Sequence, residues 1–328
     1  MKDRSDSYRY ESVNGLKASN LLEYLMQGGR EESTIRALTE ALLDYMRKRR
    51  DCADFRAAYL IRVLFSFEHD IPKDLYDEIL SELLSFPYED CGGHDMCTWT
   101  ENHRLYAAGI EFLITEKHGS ARFSDGKSND YHREHAIRSL ETGLSHIIEF
   151  GFCEWGSNNY YSETMAGLAN LVQFSKNPSI TGKARRALYM ILYDILSQTV
   201  YNEGYIYNPA CARAYVDNKV SSALGNYLEA QIRGMFGENV LMFKEKEGCF
   251  LQLLSAKDEE GKPVFTVPES FLSMVKTGPK ETCIRQGVDI DDYGKYGLKS
   301  YSQENVRYAM TAGAISEPRA ICHTMRYL

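Results

Sequence analysis

The stretch TIRALTEALLDYM occupies residues 34–46, and its apolar side chains recur at Ile35, Leu38, Leu42 and Met46. A spacing of three or four residues places these side chains on one face of an α-helix. The same spacing recurs at residues 61–65, 75–83, 105–113, 136–148, 165–172 and 188–196. The sequence therefore predicts a protein built from successive amphipathic helices.

The segments between the predicted helices carry helix-boundary signals, such as DIP at 70–72 and NPS at 177–179. No strand-like alternation competes with the helical pattern before about residue 240, and the later residues are richer in loop-forming types. We therefore expect an all-α fold with a helical-hairpin array at 1–240. Residues 241–328 are expected to extend the same domain as a loop-rich part with terminal helices.

Antiparallel helix pairs without a strict repeat of roughly 34 or 40 residues are typical of an α/α toroid or an irregular solenoid. In a toroid, the connections at one end of the pairs surround a central cavity, so they should be long, polar and aromatic. In a solenoid they should be short. The connections described below favour a complete or partial α/α toroid.

The formal net charge of −8 argues against a nucleic-acid partner, because phosphate binding requires clustered Lys and Arg. The main basic cluster, MRKRR at 46–50, ends a predicted helix, where cations complement the helix dipole. No apolar run approaches the roughly 18 residues of a membrane span, and the polar start lacks a signal-peptide pattern. Eight scattered cysteines are typical of reduced thiols. We expect a cytoplasmic protein that binds neither nucleic acid nor membrane, in an oligomeric state that the sequence leaves open.

The first unusual connection reads CGGHDMCTWTENH at 91–103 and leads into a predicted helix that begins near residue 100. Thr98 or Thr100 can cap that helix, and Glu101 suits its positive end. Capping does not account for the other polar or aromatic side chains of this helix start, which are candidates for binding a ligand: Trp99, Asn102 and His103.

The second unusual connection reads GFCEWGSNNYYSET at 151–164 and again lies between two predicted helices. It repeats an acid, a tryptophan and amide residues, and the chain has only 2 tryptophans, one in each segment. A tryptophan ring can stack on a pyranose while amides and carboxylates bind its hydroxyls. The candidates here are Glu154, Trp155, Asn158, Tyr160 and Tyr161. A third segment, 201–215, adds Tyr207 and Arg213 as a possible further wall.

These stretches resemble a known superfamily. TWTENHR at 98–104, GFCEWGSNNYYSET at 151–164 and AMTAGAISEPRA at 309–320 resemble the helical-toroid carbohydrate-active proteins, the six-hairpin glycosidase and polysaccharide-lyase superfamily. The resemblance is best over residues 75–215. It implies an enzyme that acts on oligosaccharides.

Two mechanisms follow from the residue types. In an inverting glycoside hydrolase, Glu101 and Glu154 form the acid/base pair, with carboxylates about 6.5–9.5 Å apart. Rivals for either role are Asp95, Glu163 and Glu203.

In a polysaccharide lyase, Asn102 or Asn158 with His103 or Arg213 neutralises a uronate carboxylate, so that the neighbouring proton is lost more easily. The base or acid is then His103, Tyr160 or Tyr161. A non-catalytic scaffold that binds a glycan or a protein remains an alternative, as does a prenyl-type toroid enzyme using DIDD at 289–292.

The sequence predicts neither a metal nor a cofactor. Cys91, His94, Cys97 and His103 match the spacing of a zinc site poorly, and His132 with His135 suits a solvated helix start. No phosphate-binding glycine motif and no serine nucleophile elbow occurs.

Overall fold

The computed structural model describes residues 12–13, 16–17, 21–89, 94–98, 100–154, 156–157, 159–202, 205–207, 228–238, 240 and 243–275. The helices in this part of the chain are α1 Leu21–Met26, α2 Glu32–Arg47, α3 Ala53–Ser66, α4 Lys73–Leu84, α5 Glu101–Lys117, α6 Asn129–Phe150, α7 Tyr160–Phe174, α8 Pro178–Gln198, α9 Glu229–Met235, α10 Glu245–Ser255 and α11 Glu269–Leu272. Two short antiparallel hairpins accompany them, β1 Ser12–Val13 with β2 Leu16–Lys17, and β3 Val200–Asn202 with β4 Tyr205–Tyr207.

The prediction of a mostly helical protein is confirmed. The sequence shows no strand-like alternation at the two hairpins, because strands of two or three residues are too short to give a recognisable pattern. Beyond 240, α10 continues the helical array, and residues 257 and 263 form an isolated antiparallel bridge. The predicted terminal helices at 305–314 and 319–328 lie outside the described residues.

The described helices pack in two layers. Within the inner layer, α3 contacts α5, α7 and α10, and α7 also contacts α5 and α10. These helices are buried on nearly every side: in α7 each residue from Tyr161 to Val172 is buried. Helices α2, α4, α6 and α8 flank them and bury mainly one face, as the stripe His132, Ala136, Leu140 and Leu144 of α6 illustrates. The inner layer therefore supplies the centre of the apolar core.

Side-chain contacts pair the helix starts with one another and the helix ends with one another. Near the starts, Tyr59 of α3 bonds Glu163 of α7, which contacts Lys246 of α10. Nearer the ends, Phe65 of α3 stacks on Phe174 of α7, with ring centroids 4.6 Å apart. Helices α3, α7 and α10 therefore run parallel, and their N-terminal ends lie at the same side of the molecule.

Arg62 joins three of the inner helices. Its Nε donates to Asn170 Oδ1 of α7 at 2.7 Å, while Nη1 donates to Gln173 Oε1 at 2.8 Å and to Gln252 Oε1 of α10 at 2.7 Å. The guanidinium also lies 4.7 Å from the centre of the Phe174 ring. Burial lowers the Arg62 pKa to about 10, so the group remains charged at neutral pH. Amide oxygens and an aromatic face thus solvate this buried cation.

The basic cluster at 46–50 is bound to acidic side chains on neighbouring helix surfaces. Arg47 pairs with Glu78 at 2.5 Å, and Arg49 pairs with Glu82 at 2.6 Å, which ties the end of α2 to α4. Among the described residues, none of the helices has the length and apolar character needed to cross a lipid bilayer.

The substitution Arg62→Met tests the joint between α3, α7 and α10. It should lower the free energy of unfolding by about 3–5 kcal/mol, because the amide acceptors lose their buried cationic donor. The matched control is Arg36→Met, which removes exposed ion pairs to Glu32 and Asp74 and should cost about 0–1 kcal/mol. Urea denaturation measures both variants, and equal losses would contradict the role given to Arg62.

Candidate functional site

Buried polar side chains concentrate at the N-terminal end of the inner layer. Each inner helix has an acid in its first turn: Asp54 in α3, Glu101 in α5, Glu163 in α7, and Glu245 with Glu247 in α10. The positive end of each helix dipole favours a carboxylate at this position. We call this region, from these acids to the connection at 151–159, the polar end.

The two segments singled out in the sequence meet at the polar end. The backbone N–H of Cys153 donates to Glu101 Oε2 at 3.3 Å, and Glu154 is the next residue along the chain. Bond lengths of one backbone unit and one extended glutamate then limit the separation of the Glu101 and Glu154 carboxylates to about 13 Å. Glu154 is buried.

Gly151 directs the second segment back toward α5. It follows the last residue of α6 and has φ +82°, a left-handed conformation that glycine adopts without the strain of a side chain. Its N–H caps the Ile147 carbonyl at 2.9 Å. Farther along, Ser157 Oγ accepts from the N–H of Tyr160 at 3.1 Å and so helps to start α7.

His103 is held by Asp54, a residue that the sequence analysis missed. The two side chains are buried, with His103 Nδ1 2.7 Å from Asp54 Oδ2, and the imidazole stacks on Phe55 with ring centroids 4.7 Å apart. Burial lowers the pKa of His103, but the hydrogen bond and charge of Asp54 outweigh it, so that the pKa is raised overall. Burial also raises the pKa of Asp54. Because both pKa values are raised, the pair of His103 and Asp54 releases the proton that it shares less readily than a free imidazolium does.

Asn102 fixes the first turn of α5. Its Oδ1 accepts from the N–H of His103 and from Thr100 Oγ1, both at 2.7 Å, so the orientation of the amide is determined. Thr100 occupies the N-cap position without a side-chain cap to the backbone. The Asn102 Nδ2 atom is buried and has no hydrogen-bond partner in the part of the chain that the structure describes. The side chain has no exposure to solvent, so its role lies in holding the first turn of α5.

A cavity of about 450 Å³ opens beside these residues, between α5, α6 and residues 86–89 and 96–98. Its volume falls in the range of roughly 300–1,000 Å³ that is usual for small-molecule sites. Apolar side chains such as Met96, Leu105 and Leu140 line it together with polar ones. The polar side chains of its wall include Asp54, Glu101, His103, Arg104, His135, Arg138 and His146.

A second group of buried charges lies at the starts of α7 and α10. Glu163 Oε2 accepts from the Tyr59 hydroxyl at 2.7 Å, and Glu163 Oε1 lies 3.1 Å from Lys246 Nζ. The Tyr106 hydroxyl lies 2.7 Å from the Glu163 backbone oxygen. Both oxygens of Glu163 are therefore engaged, which disfavours it as a rival acid. Next to Lys246, burial raises the pKa of Glu247 to about 8.

The remaining site residues predicted from the sequence differ in burial, and some lie outside the described residues. Tyr161 is buried and donates to Asp194 Oδ2 of α8 at 2.8 Å, and burial raises its pKa, which disfavours it as a base. Tyr160 is half-buried at the start of α7, and Tyr207 is described only by its backbone in β4. Asp95 is exposed. Those outside the described residues are Trp99, Trp155, Asn158, Glu203 and Arg213.

Comparison with known proteins finds no matching protein-family model, no matching curated protein and no matching solved structure. The chemistry of the polar end therefore rests on its own geometry.

The substitution Asp54→Asn tests how the polar end controls His103. Loss of the carboxylate charge should lower the pKa of His103, because burial of the imidazole then dominates. An NMR titration of the histidine ring protons, assigned with His103→Gln, measures the shift. Asp74→Asn, an exposed change on α4, serves as the control. An unchanged His103 pKa in Asp54→Asn would contradict this control of the imidazole.

The substitution Glu247→Gln tests the cost of a buried carboxylate. The folded pKa of Glu247 is about 8 and the ordinary value is 4.5, so the folded state holds a proton that the unfolded state releases in between. The stability of the wild type is therefore fully present below pH 4.5 and decreases as pH rises toward 8. In the wild type, Glu247 Oε2 accepts a hydrogen bond from the Lys244 N–H at 3.0 Å. Glu247→Gln keeps a side-chain oxygen that can accept this bond.

Near pH 4.5, Glu247→Gln should unfold at nearly the same temperature as the wild type. Near pH 8 it should unfold at a higher temperature than the wild type. The difference in free energy is on the order of a few kcal/mol. Thermal unfolding across this pH range measures it, with the exposed change Glu259→Gln as control. A difference independent of pH would show that the carboxyl does not resist ionisation.

Proposed function

We propose that this protein is a carbohydrate-active enzyme, an inverting glycoside hydrolase that acts on oligosaccharides with Glu101 and Glu154. The contact between the Cys153 N–H and Glu101 Oε2 carries the proposal, because it joins the two segments that bear these acids. The geometric limit of about 13 Å on their separation leaves room for the 6.5–9.5 Å that inversion requires.

The proposed roles follow from burial and position. Glu101 lines the cavity, so it can reach a sugar directly, whereas Glu154 is buried beside Cys153 and outside the cavity's lining residues. A mechanism with both acids therefore requires the substrate to reach toward the connection at 151–159. His103, oriented by Asp54, lines the same cavity and can bond a sugar hydroxyl. The Asn102 side chain is fully buried and outside the cavity's lining residues, so its part in the proposal is to shape the start of α5.

The arrangement of the helices supports a partial α/α toroid as part of this proposal. Parallel inner helices are flanked by an outer layer, and their N-terminal ends carry the polar residues that a central site of a toroid would use. A cytoplasmic location, with no nucleic-acid partner, also belongs to the proposal.

One of the candidate lyase bases is disfavoured by its burial. A lyase needs a base that takes the proton beside the uronate carboxylate. Burial raises the pKa of Tyr161, so this phenol keeps its proton, and its hydroxyl donates to Asp194. The lyase alternative then depends on His103 or Tyr160 as the base.

A panel of neutral and acidic oligosaccharides tests the activity, with reducing ends and unsaturated uronate measured in parallel. We expect reducing-end release without unsaturated product, and inverted anomeric configuration in an early proton NMR spectrum of the products. Glu101→Gln and Glu154→Gln should each lower kcat by about 100-fold or more, since each removes a proton-transfer group.

Glu259→Gln is the matched control, because this glutamate is exposed on a distant turn, and it should retain full activity. Unsaturated uronate in the products would identify a lyase and contradict hydrolysis. Full kcat in Glu154→Gln would contradict the two-carboxylate mechanism and leave Glu101 with another partner.

A further inference from the structure

Three side chains of metal-ligating type converge where α5, α6 and the second segment meet. They are Glu101 at the start of α5, His146 near the end of α6, and Cys153 just after α6, and one ligand atom of each lies within 4.8 Å of the other two. His146 and Cys153 are buried. A carboxylate, an imidazole and a thiolate are all ligands that Zn²⁺ uses in proteins.

The spacing is close to that of a tetrahedral zinc site. Zinc–sulfur and zinc–nitrogen bonds of about 2.3 Å and 2.0–2.1 Å place the two ligand atoms about 3.6 Å apart. Cys153 Sγ and His146 Nε2 are 4.0 Å apart. A small rotation of either side chain closes this difference, whereas a thiol–imidazole hydrogen bond of this length is weak.

Charge and access also suit a divalent cation. Glu101 and a Cys153 thiolate together carry two negative charges, and Glu154 follows directly in the chain, so an ion would compensate charges that are costly to bury. Glu101 and His146 both line the cavity of about 450 Å³, through which an ion can enter and in which a fourth ligand can sit. Binding would release the thiol proton to solvent.

A neighbouring group, Asp51, Cys52 and His103, also brings its ligand atoms within 4.8 Å of one another. It is less suitable for two reasons. Burial raises the pKa of the Cys52 thiol far above its ordinary value, and His103 Nδ1 is already bound to Asp54 at 2.7 Å.

We propose that Glu101, His146 and Cys153 form a Zn²⁺-binding site with an open fourth position. Metal binding does not depend on the proposed hydrolysis. Its consequence does rest on that function: a Glu101 carboxylate bound to Zn²⁺ cannot transfer a proton, so Zn²⁺ should inhibit the enzyme.

Co²⁺ is the probe, because a thiolate bound to it gives a charge-transfer band in the near ultraviolet. Titration of reduced, metal-free wild type should produce this band with saturation at one equivalent, and Zn²⁺ should remove it. X-ray absorption of the Zn²⁺-loaded wild type should show one sulfur ligand. This second measurement requires no variant to fold.

Cys153→Ala should abolish the band, and His146→Ala should weaken binding by more than the roughly 10–100-fold caused by loss of an outer-shell partner. Cys249→Ala is the matched control, since it removes another buried thiol outside the cluster and should keep the band. Circular dichroism without metal confirms that each variant is folded.

The proposal is overturned if the wild type gives no band at stoichiometric Co²⁺, or if folded Cys153→Ala retains it. Hydrolysis by the metal-free protein is measured separately. A protein that binds Co²⁺ through Cys153 but cleaves no oligosaccharide keeps the metal site and loses the proposed function. A protein that cleaves oligosaccharides without binding Co²⁺ keeps the proposed function and loses the metal site.

Discussion

The structure depends on a buried charge that is solvated by protein groups. Amide oxygens of α7 and α10 accept hydrogen bonds from Nε and Nη1 of Arg62 within the inner layer. Burial lowers the Arg62 pKa only to about 10, so the guanidinium stays charged at neutral pH. These hydrogen bonds are directional, so they fix how far α3 can slide past its neighbours. An apolar contact alone would tolerate small shifts between the same helices, since hydrophobic burial has no preferred direction.

Fixing the parallel helices at one end determines what meets at the other. The first turns of the inner helices come together with their acids, and the Cys153 N–H donates to Glu101 at the same end. Concentrated buried charge of this kind is expensive in a low-dielectric interior and is typical of sites that bind or transform a ligand. The same packing that stabilises the core thus supplies the proposed proton-transfer groups and the proposed metal ligands.

Periodic apolar residues were enough to predict α2 to α8, because amphipathic spacing is a local property. They did not reveal α1, whose six residues are too few to show a period. They could not reveal α10 as an inner helix, since in EKEGCFLQLLS the charged residues Glu245, Lys246 and Glu247 occupy buried positions. Their burial depends on contacts with α7, which lie far away in sequence.

At the polar end, too, some residues could be predicted from the sequence and others could not. Glu101, Asn102, His103 and Glu154 were predictable because they cluster with tryptophans in unusual connections. The partners Asp54 and His146 were not, since each is one polar residue among several in a regular helix, and its local spacing does not single it out. Their role depends on neighbours from distant parts of the chain.

Gly151 shows how the geometry of the polar end depends on a residue without any side-chain chemistry of its own. Its left-handed backbone turns the chain after α6, so that Cys153 reaches Glu101. Replacement by an L-residue would strain this turn and displace ligands and acids together. A single backbone torsion thus sets the relative positions of side chains that belong to two different helices and to the connection after them.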